Sequence, residues 1–207
     1  MAIVRRSISE REESELCSGS GILDGKIVMG IDPGTNLMGY GIVKVEGGEP
    51  RCLLMGVIRP GKFSDRYAKL RHIFERVTAL VEQYSPDEVA LEAPFYGNNV
   101  QSMLKLGRAQ GVAMAAALVR DIPVFEYAPT RVKESITGRG RASKEQVASL
   151  LAEIMGLKEV PVELDATDAL AVAMCHVFAR TSPAPPGKGK AGGWESYVNQ
   201  NPNKVHK

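Results

Sequence analysis

Four carboxylates fall at the ends of elements rather than on solvated faces. Asp32 closes an apolar run at 26–31, Glu92 closes "DEVALE", and Asp165 and Asp168 open a late helical stretch. Three residues apart, Asp165 and Asp168 share one helix face and can point into one cavity. Acids gathered this closely repel and raise one another's pKa unless a cation joins them. With only hard oxygen ligands on offer, the fitting ion is Mg²⁺, with Mn²⁺ as the substitute, and zinc is disfavoured. Two such ions about 3.5–4 Å apart would activate a water and stabilise the leaving oxygen of an in-line phosphodiester displacement.

Each acid also has a plain structural use. Asp32 precedes Pro-Gly and suits a turn; Asp165 and Asp168 suit the first turn of a helix, whose dipole favours them. Glu92 before Ala-Pro is harder to explain that way, because a buried acid there is costly. Residues 131–144, "RVKESITGRGRASK", hold five cations and one acid. Lys133, Arg139, Arg141 and Lys144 are therefore candidate phosphate contacts, with the glycines allowing close backbone approach, while a solvated loop is the plain alternative. Phe95 and Tyr96 follow Glu92 in a turn-prone loop, where rings stack on bases or anchor the loop to the core. His72 and His176 carry no partner signature and read as packing or surface residues.

The elements that must bring the acids together follow from periodicity. Runs at 26–31, 38–45 and 51–58 are strand-like and joined by short turns, which makes them antiparallel neighbours. Tyr67, Leu70, Phe74, Val77, Val81 and Tyr84 recur at helical spacing until Pro86. "DEVALE" is a fourth strand and "IPVFEY" a fifth. Between them Val100–Arg120 is rich in Ala, Met and Leu on nearly all sides, predicting a largely buried helix in which Gly107 and Gly111 permit close packing. Ser143 and Gln146 form a capping-box pattern ahead of another helix, and a last helix runs from about Asp165 to Arg180. The order β-β-β-α-β-α-β-α-α predicts an α/β fold with a mixed five-stranded sheet, an antiparallel meander followed by parallel strands, and helices on both faces. Parallel first and fourth strands put Asp32 and Glu92 on the same sheet edge.

At 207 residues the chain has room for one domain of this kind. Residues 1–25 read as a flexible N-terminal extension, 26–180 as the domain, and the Pro-, Gly- and Lys-rich 181–207 as a flexible tail. The formal charge of +2 announces no overall basicity, so a nucleic-acid patch would have to be local. Cys17, Cys52 and Cys175 are odd in number and dispersed, as expected of reduced thiols. No segment approaches bilayer length, which excludes a membrane protein and points to the cytoplasm.

With these residues assembled, the chain resembles the RuvC family of bacterial Holliday-junction resolvases, within the ribonuclease H-like superfamily. The likeness rests on "GIDPGTNLMGYGIV", "VALEAPFYGNNVQSMLKLGRAQGV", "VKESITGRGRASKEQV" and "DATDALAVAMCH", in order over about 26–180. The extra residues before the first strand, and Ala93-Pro94 after Glu92, depart from the family pattern. The resemblance implies metal-binding acids at Asp32, Glu92, Asp165 and Asp168, DNA-contacting lysines at Lys133 and Lys144, and a junction-facing aromatic at Phe95. It also implies a homodimer that nicks a four-way DNA junction symmetrically, working with the RuvA and RuvB branch-migration proteins. Rival readings are another ribonuclease H-like nuclease, a non-catalytic junction binder, and an actin-like ATPase, since "GIDPGT" resembles that fold's phosphate loop. The ATPase needs two such domains around its nucleotide, and a simple binder has no use for four acids that repel phosphate.

Overall fold

The computed structural model describes residues 23–94, 99–157 and 163–181. The strands are β1 (Ile27–Asp32), β2 (Met38–Glu46), β3 (Glu49–Ile58), β4 (Glu88–Glu92) and β5 (Val124–Tyr127); the helices are α1 (Arg66–Tyr84), α2 (Val100–Leu118), α3 (Pro129–Thr137), α4 (Lys144–Ile154) and α5 (Leu164–Thr181). They form one mixed sheet in the order β3-β2-β1-β4-β5, with β1 antiparallel to β2 and parallel to β4, and β4 parallel to β5. The expected meander and its parallel continuation are both present, and none of the described helices is long and apolar enough to cross a membrane.

Strand alternation divides the core in two. Val28 and Ala90 face a cluster with Val132, Leu151 and Leu170 of α3, α4 and α5. Met29, Ile31, Val89 and Leu91 face the other side, against Ile73, Val77 and Ala113 of α1 and α2. Both faces are thereby covered, as a sheet with parallel strands requires.

The helix nearest the sheet is α5, buried at almost every position from Ala166 to Val177. It lies directly on β1 and β2 because three sheet positions have no Cβ. A Cβ at Gly30 would stand 2.2 Å from the Ala169 carbonyl oxygen, one at Gly39 1.9 Å from that of Asp165, and one at Gly41 2.7 Å from the Leu170 Cα.

Several expectations need correction. Helix α2 is buried only along part of its C-terminal half, at Ala109, Gln110, Ala113, Ala116 and Ala117, and Gly107 and Gly111 face open space rather than a packed neighbour. Its Ala-rich composition matches a core helix, but only one face meets α1 and the sheet. In α1 the buried stripe is Ile73, Val77, Leu80 and Val81, while Tyr67 and Phe74 are exposed. The basic stretch 131–144 is not one loop. Its first half belongs to α3, an additional helix that starts with Pro129 at its first turn, buries Val132 and Ile136, and ends at Gly138 in the left-handed region.

Leu23, counted with the N-terminal extension, is fully buried, and the Gly25 amide donates to the Val45 carbonyl at 2.8 Å. Of the tail expected over 181–207, Thr181 is the last residue of α5 and 182–207 lie outside the described residues, as do Phe95, Tyr96 and Cys17. Cys52 and Cys175 are free thiols.

His176 has partners that its sequence neighbourhood does not show. It is fully buried in α5; the Tyr127 hydroxyl bonds its Nδ1 at 2.7 Å, and its Nε2 meets the Glu88 carboxylate. Arg180 and Lys26 also approach Glu88, at 3.2 and 3.5 Å. Burial alone would raise the Glu88 pKa, but the His176 bond and these cations hold it below the usual carboxylate range. His72 packs against Phe63, the ring centroids 5.0 Å apart and the planes tilted by 50°.

Candidate active site

The end of β1 and the start of α5 make the site. In register, Ile31 pairs with Leu91, so Asp32 and Glu92 leave the sheet side by side at its carboxyl edge. Asp32 stands opposite Gly39 on β2, and the missing Cβ there admits the backbone of Asp165. The result is that carboxylate oxygens of Asp32, Asp165 and Asp168 all lie within 4.8 Å of one another. Glu92 stands at the border of this trio: with Asp32, Leu106 and Gln110 it lines a cavity of about 150 Å³.

The electrostatics follow from that crowding. Burial, reinforced by the charges of Glu92, Asp168 and Asp165 and opposed only by Lys144, pushes the Asp32 carboxyl up to about 8. Glu92 is raised as well, first by burial and then by Asp168, with Lys144 and Lys133 acting against the shift. A partly buried acid cluster with this excess of negative charge suits a hard divalent cation. Three converging oxygen donors and no sulfur or imidazole in the cluster agree with that choice.

Lys144 stands inside the site rather than beside it. Its ammonium pairs with the Asp168 carboxylate. The placement is local in origin: Ser143 and Gln146 complete the expected capping box, so Lys144 is fixed in the first turn of α4. Although burial works against a charged lysine, Asp168, Asp32 and Asp165 together raise its pKa. Lys133, on α3, is close enough to act on Glu92. Arg139 and Arg141 are exposed on the turn between α3 and α4.

Three contributors were not singled out from sequence. Gln110, 4% exposed on α2, lines the cavity and donates to Glu126 at 2.6 Å. Arg59, just after β3, pairs with Glu163 at the entry to α5. Gly39 is the third, and its only sequence signal is the G-Y-G alternation, which puts Gly39 and Gly41 on one face of β2.

The profile of the family described as "Crossover junction endodeoxyribonuclease RuvC" matches residues 28–176. The chain belongs to the RuvC family. RuvC of Porphyromonas gingivalis is 56% identical over 183 residues, covering 87% of this chain and 97% of that protein. RuvC of Bacteroides fragilis is 55% identical over 182 residues, with 87% and 96% covered. Among solved structures, Thermus thermophilus RuvC in complex with a Holliday junction substrate superposes with a TM-score of 0.70 at 35% identity, covering 75% of this chain and 95% of that one. The span matched by the RuvC profile contains all four acids and the whole α3–α4 basic segment.

Proposed function

We propose that this protein resolves four-way DNA junctions by paired, symmetric, metal-dependent nicks, as a crossover junction endodeoxyribonuclease of recombination and repair. The observation that carries the reading is the convergence of Asp32, Asp165 and Asp168 within 4.8 Å, with Glu92 beside them, in a chain of the RuvC family. A relative of the same family is known in complex with a Holliday junction.

In this reading Asp32, Glu92 and Asp165 would hold two Mg²⁺ ions, Asp32 being shared between them, and Asp168 would hold or orient a metal or its water while giving up its Lys144 partner. Divalent cations held there supply Lewis-acid polarisation of the scissile phosphate and an acidified water. Lys144, once released from Asp168, and Lys133 hold the phosphates flanking the cut, with Arg139 and Arg141 farther along the backbone. Phe95 and Tyr96, which follow Glu92 closely in sequence, are the residues for contacting unpaired bases at the branch point. A homodimer suits a two-fold substrate, because one symmetry axis then yields both cuts. RuvA and RuvB are the partners that supply branch migration, and the cytoplasm is the compartment.

The test is a synthetic mobile four-way junction incubated with and without Mg²⁺, with nick positions mapped on each strand. Paired nicks at symmetric positions only with metal are expected, and Asp32→Asn should bind the junction and leave it uncut. Cleavage by Asp32→Asn at the wild-type rate would sink the assignment.

A further inference from the structure

A second basic surface reaches the same acids from the opposite face of the sheet. Between α1 and α2 runs an open groove of about 1120 Å³, walled by Arg66 and Lys69 of α1 and by Lys105 and Arg108 of α2, with Asp165 also in its lining. Asp165 is the only acid among the described residues of its lining. Among the described residues none of the four cations pairs with a carboxylate: Arg66 lies over the Tyr67 ring at 4.8 Å, and Lys69 donates to the Asn36 side chain at 3.2 Å. Asp65, the nearest acid in sequence, is engaged in capping α1 through the Ala68 amide. Tyr67 is 64% exposed on this wall, a large ring left in water with a cation on its face.

Unpaired cations facing each other across an open groove suit a polyanion, and their spacing along two helices suits one that is extended. We infer that the α1–α2 groove carries a DNA backbone leading to the scissile phosphate from the side opposite Lys133, Arg139 and Arg141. This deepens the junction-nuclease reading and rests on it. The α3–α4 segment lies on the α5 face of the sheet and the groove on the other, so the acids sit between two cationic arms. A strand laid across the sheet edge is then gripped on both sides of the cut. The arrangement offsets the repulsion that a bare carboxylate cluster imposes on phosphate. Tyr67 offers a stacking face beside the path.

The inference is tested with the full chain and two double variants, Arg66→Ala with Lys69→Ala and Lys105→Ala with Arg108→Ala. Junction affinity is measured in EDTA by fluorescence anisotropy over a salt series. Each pair is expected to weaken binding roughly tenfold or more at physiological salt and to flatten the log–log salt slope by about 2, two phosphate contacts being lost. Nicking by each variant should recover when its concentration is raised, and thermal midpoints should be unchanged. Wild-type affinity and slope in both variants would overturn the inference. So would variants that sediment as monomers where the wild type is a dimer, since the groove would then be a subunit surface. If the wild type fails to nick junctions at all, the nuclease reading falls separately, and the same salt slopes on linear duplex DNA decide the groove.

Discussion

At the scale of single residues, Asp32 is the group most changed by folding. Its carboxyl, which in an unfolded chain titrates at about 4, is pushed up to about 8 in the fold, so the folded state holds the proton more tightly than the unfolded one. Its contribution to stability is therefore present below about pH 4 and is lost as pH rises through about 8. Metal-free protein is expected to melt at falling temperature as pH is raised over that interval, with divalent cation restoring the midpoint most at the alkaline end; calorimetry with and without EDTA checks both. Asp32→Asn removes the uncompensated charge, so at about pH 8.5 without metal it should be more stable than wild type by about 1–3 kcal/mol while being inactive. An unchanged or lower midpoint would show that Lys144 already balances the cluster. Lys144→Ala leaves Asp168 without its cation and is expected to tighten metal binding while weakening junction binding; isothermal titration and anisotropy separate the two effects.

At the scale of elements, the decisive contact is α5 on the glycines of β1 and β2. Gly39→Ala places a methyl 1.9 Å from the Asp165 carbonyl, where only backbone movement relieves it. About 3 kcal/mol or more of stability should be lost, with cleavage falling further than stability because Asp165 moves. Gly107→Ala, by contrast, adds its methyl to open space on a helix and should stabilise by about 0.5–1 kcal/mol. Thermal melts of the two variants side by side would reverse the expectation if their order were inverted. The pair also marks what could be read beforehand. The succession of elements, the antiparallel meander and the capping box before Lys144 follow from local period and turn chemistry, which are written in consecutive residues, and the shared edge of Asp32 and Glu92 follows once the fourth strand lies parallel to the first. Which helix lies against bare backbone depends on residues about 130 apart, Gly39 and Ala169, and composition pointed to α2 because alanine marks a tight fit without naming the neighbour. Helix α3 was hidden for a related reason: its charges read as a loop, although Val132 and Ile136 keep helical spacing within them.

At the scale of the whole molecule, the two ends of α5 have opposite duties. The first turn carries Asp165 and Asp168 into the site; farther along, His176 is clamped between Tyr127 and Glu88, with Arg180 closing on the same carboxylate. Removing the imidazole opens a buried cavity and leaves Glu88 with Arg180 and Lys26 alone, so His176→Ala should cost about 2–4 kcal/mol, and His176→Gln less, by denaturant melts. Because α5 is one continuous, buried helix between these points, the clamp also bears on how the acids meet β1.

The topology has a consequence during synthesis. Asp32 and Glu92 emerge early, but the other half of the cluster comes with the last described helix, more than 70 residues after Glu92. A nascent chain can form its hairpins and α1 and still lack Asp165 and Asp168. If the proposed chemistry needs all four acids, an incomplete chain has no cutting site until translation has delivered α5 and the glycine-lined cleft has received it.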